Sequence, residues 1–207
     1  MKDLCVKSVL AGLLIGFAGA LYLQCVAHIE NKSVGVIMGA ILFSLGLLSV
    51  ILFKTNLFTG KVGYITTFKE FWQGMIMLVL NLLAAFALGL LYKLCIGESA
   101  ALVSRFAKEW YRILFDSVIC GMCVFLSVDL YKRTSNIFTI ILPVVAFIIF
   151  GGEHCIAFAF YIGSAPFDAE TGKALLYLLI MIAGNSIGAL LLRALSYHLI
   201  DKPKETA

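Results

Sequence analysis

Long apolar runs, interrupted at regular intervals by short polar segments, organise the chain. The first run, Leu4–Ala27, ends at a polar turn, His28–Ser33. The second begins near Val34 and holds to Phe53, is interrupted by Lys54-Thr55-Asn56-Leu57-Phe58-Thr59-Gly60, and resumes weakly to Thr67. The third covers Phe71–Tyr92, and a charged stretch, Lys93–Arg112, separates it from the fourth, Ile113–Leu130. The fifth begins near Ile137, is interrupted at Phe150-Gly151-Gly152-Glu153-His154, and resumes as Cys155–Ile162. After a loop over Gly163–Gly172, the sixth run, Lys173–Leu195, leads into a polar tail. Runs of about 20 apolar residues match the thickness of a bilayer core. The pattern therefore predicts an all-α integral membrane protein with six transmembrane helices. In the first run Gly12, Gly16, Gly19 and Ala20 recur at helical spacing, which suits close contact between helices in lipid.

The six spans group as three plus three, with a broken member in the middle of each set. Three is odd, so a duplicated half would sit upside down relative to the first. The expectation is a single domain over residues 1–207, with inverted halves of about 1–97 and 98–207. Broken helices at matching positions of inverted repeats point to a binding site near the bilayer midplane. Irregular backbone at that depth is tolerated only where protein buries it or where it lines a wet cavity.

Composition agrees. The 207 residues are 62% hydrophobic and 14% charged, with a mean hydropathy of +1.02. Soluble domains are nearer half apolar and a quarter charged, so lipid must cover part of this surface. Six spans with short connections leave no room for an extramembrane catalytic domain, and no enzyme is expected. The net charge is +4, but the basic residues lie in short runs at span ends. They read as topology signals, not as a nucleic-acid surface. Lys2, Lys7, Lys61, Lys69, Lys132, Arg133, Arg193, Lys202 and Lys204 fall on one side; Lys32, Lys93, Arg105, Lys108, Arg112 and Lys173 fall on the other. The excess puts both termini in the cytoplasm of a multi-pass protein of the plasma (inner) membrane. The first run is span-length with no small-residue cleavage region after it, so it reads as a helix and not a signal peptide.

Candidate chemistry concentrates at the two interruptions. Glu153 and His154 sit within an otherwise apolar stretch, where ionisable residues are costly and mark function by default. His154 can hold an anion as a hydrogen-bond donor, or titrate near neutral pH and protonate a weak acid or gate a pore. Glu153, with Gly152, is expected to support the break by satisfying backbone donors it frees. The half-helix amino termini after each break would add positive potential. At the first interruption Lys54, Thr55, Asn56 and Thr59 surround apolar Leu57 and Phe58, the mixture a re-entrant loop needs if apolar side chains constrict a pore. Asp129 lies at the water boundary marked by Lys132 and Arg133. Of the six cysteines, Cys120 and Cys123 form a CxxC inside a span, and only His154 and Cys155 are plausible further ligands. A zinc site needs a fuller set, so neither metal nor cofactor is expected.

These residues resemble the formate/nitrite transporter family. Phe43-Ser44-Leu45-Gly46-Leu47 followed by Asn56-Leu57-Phe58-Thr59-Gly60 resembles its second helix and omega loop. Leu142-Pro143-Val144, then Phe147, then Gly152-Glu153-His154 resembles its broken fifth helix, and Gly184-Asn185-Ser186-Ile187-Gly188 its last. The resemblance spans nearly the whole of a chain shorter than usual for the family. It implies a homopentamer of aquaporin-like protomers, each with its own pore. By position, His154 is similar to the family's central pore histidine and Thr59 to the omega-loop threonine facing it. Leu47, Leu57 and Phe58 match one apolar constriction, Phe43 and Phe147 the other. In such a pore a small anion is drawn in, receives a proton at the centre and passes the slits as the weak acid. The sequence departs from the family in three places. Gly121 stands where the fourth helix usually has Asn, Lys54 where a small residue is usual, and the lysine that attracts the anion is matched by Arg105 in spacing and Lys108 in type.

The sequence therefore points to a channel or proton-coupled transporter for a small monovalent anion or weak acid: formate, nitrite, hydrosulfide or a short carboxylate. Its partners would be that anion, protons and the lipid bilayer, and no nucleic acid. An aquaporin-like channel for small neutral solutes is the alternative, although the aquaporin Asn-Pro-Ala boxes are absent.

Overall fold

A computed structural model describes residues 1–166 and 170–197, so the end of the polar tail, with Lys202 and Lys204, lies outside the described residues. Among the described residues every regular element is a helix: α1 (Lys2–His28), α2 (Lys32–Leu52), α3 (Phe58–Lys61) running into a 3₁₀ turn (Val62–Tyr64), α4 (Phe68–Cys95), α5 (Val103–Phe106), α6 (Trp110–Thr134), α7 (Phe138–Phe150), α8 (Cys155–Ser164) and α9 (Thr171–Ser196).

Local chemistry sets the helix ends. The Asn31 side chain accepts the backbone N–H groups of Ser33 and Val34 and starts α2. Thr67 and Glu70 form a reciprocal capping box at α4, satisfying two donors that the first turn leaves unpaired. α7 stops at Gly151, whose φ of 90° is a left-handed conformation that glycine adopts without steric cost.

α1, α2, α4, α6 and α9 are each long and apolar enough to cross a membrane, and α7 with α8 makes the sixth crossing, bent by 58° at its break. The fold is thus the all-helical, six-span membrane architecture that the apolar runs predict. Two details differ. The helix expected from Ile113 begins at Trp110, because Arg112 pairs with Asp116 one turn on, at 2.8 Å, and is drawn into α6. The interruption after α2 is followed not by a resumed span but by the four residues of α3 and a 3₁₀ turn, a short re-entrant segment.

The helices touch through glycine. A Cβ on Gly12 would strike the Asn81 carbonyl, so α1 and α4 meet backbone to backbone; one on Gly121 would strike the Asn185 carbonyl, and one on Gly188 the Val118 carbonyl, which locks α6 to α9. Without a hydrophobic drive between helices in lipid, such close packing is a main source of association. Gly89 and Gly163 bring α4 equally close to α8, and α8 is buried over its whole length. The outer surface carries apolar side chains, among them Phe17, Ile41, Leu83, Leu142 and Leu179, as a lipid-facing exterior requires.

Gly188→Val is expected to force α6 and α9 apart and to cost at least about 3 kcal/mol, the upper range for overpacking a dense core. Thermal unfolding in detergent, followed by size-exclusion chromatography, checks this; an unchanged melting temperature would refute the contact.

Candidate functional site

The two breaks are built alike. Before α3, Leu57 is extended (φ −96°, ψ 123°), and before α8, His154 is extended (φ −108°, ψ 117°). Each break turns the chain so that backbone groups lose their helical partners, and in each an asparagine from a neighbouring helix replaces them. Asn81 of α4 accepts the Phe58 N–H at 2.8 Å and donates to the carbonyls of Ser8 (2.6 Å) and Asn56 (3.0 Å). Asn185 of α9 accepts the Cys155 N–H at 2.9 Å and donates to the carbonyls of Ser117 and Glu153, both at 2.8 Å. Both asparagines are fully buried. A buried amide left unpaired costs several kcal/mol in hydrocarbon, so these side chains are what allow the irregular backbone at this depth.

The breaks meet at one hydrogen bond. Thr59 Oγ1 lies 3.0 Å from His154 Nε2. His154 Nδ1 accepts the Ala157 N–H at 3.3 Å, capping α8. An N–H can only donate, so Nδ1 is the acceptor nitrogen and the imidazole proton sits on Nε2, where it donates to Thr59. The threonine hydroxyl hydrogen is then left for another acceptor. Both residues are buried.

Above His154 opens a cavity of about 520 Å³ lined by α1, α2, α4, the segment from Glu98 to Lys108, the fifth-helix break and α8. On its lining Phe43 and Phe147 face each other edge to face, with ring centres 6.2 Å apart. Leu47, Leu57 and Phe58 are also buried. A chain of ion pairs flanks the cavity: Arg105 to Glu153 (2.7 Å), Lys108 to Glu153 (3.0 Å) and to Asp116 (2.8 Å), and Arg112 to Asp116 (2.8 Å). Of these, Arg105, Lys108 and Glu153 are on the cavity lining, while Arg112 is half exposed at the far end of the chain of pairs. Glu98, also on the lining, is paired with Lys93 at 2.8 Å.

The structure brings together most of the residues singled out in the sequence. Thr59 meets His154, Phe43 meets Phe147, and Arg105 and Lys108, expected as alternatives, hold the same carboxylate. Asn56 is tied to α1: its Nδ2 donates to the Leu4 carbonyl at 3.4 Å, its backbone N–H donates to the Lys7 carbonyl, and its Oδ1 accepts from Lys61. Lys54 stands apart, exposed and in a left-handed conformation (φ 52°) while Thr55 and Asn56 after it are buried. Asp129 accepts from Tyr64 Oη at 2.9 Å and Arg133 at 2.7 Å. Gly152 presses against Phe147. One expectation is corrected: the Glu153 carboxylate does not satisfy the freed backbone donors. Asn185 takes the Cys155 N–H, and the carboxylate turns to Arg105 and Lys108. Gly121 is where α6 touches α9 at Asn185.

Sequence reasoning missed Asn81 and Asp116 and read Asn185 only as part of a motif. The available signal was a lone amide or acid in the middle of an apolar run, which is expensive unless partnered. Cys120, Cys123 and Cys155 are free thiols, and no group of three or more metal-ligating residues occurs among the described residues.

Six apolar crossings, a re-entrant segment and a broken helix converging on a buried histidine under an open cavity define a membrane channel or transporter. The sequence model of the formate/nitrite transporters matches residues 1–199, and the chain belongs to the formate/nitrite transporter family. Its fold is similar to that of a solved FNT family ion channel, with a TM-score of 0.85 and 21% identity over 96% of this chain and 90% of that one. It is also similar to a pentameric formate channel solved with formate bound, with a TM-score of 0.82 and 23% identity over 98% of each chain. No curated protein sequence matches the chain.

Replacing Asn185 by Leu removes three hydrogen bonds and orphans the Cys155 N–H. The expected loss is about 3 kcal/mol or more, since each buried group left unpaired costs about 1–3 kcal/mol. Asn81→Leu should behave alike. Melting temperatures of the two purified variants test the equivalence, and a neutral effect at either site would show that the break does not depend on it.

Proposed function

We propose that the protein is a channel or proton-coupled transporter for a small monovalent anion or its weak acid: formate, nitrite, hydrosulfide or a short carboxylate. The observation that carries this reading is the Thr59–His154 hydrogen bond at the junction of the two breaks, beside a cavity whose lining includes Arg105 and Lys108. Membership of a transporter family supports it. So does the likeness to a channel solved with formate bound, and the pentameric state named for that channel supports a homopentamer here.

In this reading the anion enters the cavity past Arg105 and Lys108, whose charges lower the cost of leaving bulk water. The Phe43–Phe147 pair forms one apolar slit and Leu47, Leu57 and Phe58 the other, with His154 and Thr59 between them. Apolar constrictions exclude a hydrated ion, so a proton must join the anion before it crosses. The Thr59 hydroxyl, polarised by the Nε2–H of His154, donates toward the anion, and the proton follows from water on that side. Asn56 holds the re-entrant loop against α1, and Lys54 adds positive charge at the loop's outer end. Protons are thus partners in transport, and the cations Arg105 and Lys108 on the route favour an anion over a neutral solute.

The equivalence of Asn81 with Asn185, of Gly12 with Gly121 and of Leu57 with His154 supports a single domain built of inverted halves, about 1–97 and 98–207. The distribution of Lys and Arg supports cytoplasmic termini in a plasma (inner) membrane.

Formate uptake into proteoliposomes, corrected for protein-free vesicles, is expected to rise as external pH falls. His154→Ala should cut the flux by tenfold or more and flatten its pH dependence. A variant with full, equally pH-dependent flux would sink the proton step. Native mass spectrometry of the detergent-solubilised protein should give five copies of the 22.6 kDa chain.

A further inference from the structure

At the end of the spans opposite the cavity, four cations gather around one tyrosine. Tyr64 closes the 3₁₀ turn after α3, Lys132 and Arg133 lie in the last turn of α6, and Arg193 lies in the last turn of α9. Lys132 Nζ stands 3.4 Å from the centre of the Tyr64 ring, and the Arg193 guanidinium carbon 5.9 Å from it, both within the range of cation–π attraction. Lys61, three residues before Tyr64, donates to Asn56, which is itself tied to the first turn of α1 at Leu4. The charges of Lys61 and Arg193 both repel that of Lys132. These side chains come from the re-entrant segment, from α6 and from α9, so only the folded chain brings them together.

The cluster is not neutralised from within. Asp129 is engaged on both oxygens, by Tyr64 Oη at 2.9 Å and by Arg133 at 2.7 Å. Asp3, whose charge also reaches Lys61, is paired with Lys7 at 2.9 Å. Neither Lys61 nor Lys132 has a carboxylate at ion-pair distance among the described residues. The carboxyl ends of α6 and α9 supply about half a negative charge each, which with Asp129 offsets roughly two of the four positive charges. The tail beyond carries Asp201 and Glu205 against Lys202 and Lys204, and these side chains add no net charge.

The same end lies at the membrane surface. Four residues after Tyr64, α4 opens with Phe68, Phe71 and Trp72, all exposed and in ring contact, the kind of aromatic group that sits at headgroup level. On α9, Leu190 and Tyr197, about one turn before and after Arg193, are each 47% exposed, so the cations border a face open to lipid chains. A phosphodiester carrying acyl chains answers both the charge and the apolar border. A zwitterionic headgroup answers them less well, because its own cation is repelled by the cluster.

We propose that Lys61, Lys132, Arg133 and Arg193 form a binding site for the headgroup phosphate of an anionic phospholipid, in the leaflet on the amino-terminal side of the protein. The phosphate bridges the re-entrant segment to α6 and α9 and relieves the repulsion among their cations, so the lipid steadies the segment that carries Thr59. The site requires only that the chain is embedded in a membrane and does not rest on the transport reading above.

Native mass spectrometry of the full-length protein, titrated in detergent with dioleoyl phosphatidylglycerol or dioleoyl phosphatidylcholine, counts bound lipid and gives both affinities. The anionic lipid should bind at least about tenfold more tightly. Lys132→Gln should shrink that ratio about fivefold, as expected for one cation near a headgroup, and Lys132→Gln combined with Arg193→Gln should abolish it. Lys32→Gln, at the cavity end of α2, should leave it intact. If the double variant does not fold, Lys132→Gln alone decides. Inorganic phosphate, which lacks the chains, should not displace phosphatidylglycerol at equal concentration. Displacement by inorganic phosphate, or an undiminished ratio in folded Lys132→Gln, would overturn the proposal. Equal affinity for the two lipids would also overturn it and leave the patch to an acidic protein surface.

Discussion

Hydrocarbon offers no partner to a peptide group, and this constraint governs the molecule. An unbroken helix meets it internally; a broken one cannot. Every feature of the site exists because the chain is broken twice at depth, and each break survives because one buried amide side chain stands in for the missing helical bonds. Asn81 and Asn185 each accept one N–H and donate to two carbonyls, which uses an amide's capacity to work on both kinds of backbone group at once. No other uncharged side chain of this size offers an acceptor and two donors together.

The asparagines can reach the breaks only because their helices are packed unusually tightly. Gly12 lets α1 lie against the backbone at Asn81, and Gly121 lets α6 lie against the backbone at Asn185. The same contacts bring the Ser8 and Ser117 carbonyls within reach of the amides. Small residues, a buried amide and irregular backbone thus form one linked unit at each break. The two breaks differ in their extended residue, Leu57 at one and His154 at the other, so similar supports deliver an apolar side chain and a hydrogen-bonding one.

Much of this was legible from sequence. Six runs of span length gave the crossings, because a lipid-facing helix has to be apolar over its whole length. The interruptions stood out because Lys54, Glu153 and His154 are ionisable residues in apolar surroundings. The supports were harder to read. Asn81 and Asn185 are single polar residues in runs that otherwise look uniform, and their partners lie 73 and 68 residues away along the chain. Glu153 was read as a support for the backbone, since its cationic partners stand 45 and 48 residues earlier in a segment that looked like an ordinary loop. Spacing along a chain reports on one helix at a time; it says little about which loop folds over which break.

The burial of α8 has a mechanical consequence. Its residues are enclosed on all sides, and at Gly89 and Gly163 its backbone rests against that of α4 with no side chain between them to act as a cushion. Sliding or tilting this segment would drive main chain into main chain. Along the proposed route the rings of Phe43 and Phe147 and the Thr59 hydroxyl are the parts that can turn without moving α8. In that reading the valve has light moving parts in a rigid housing.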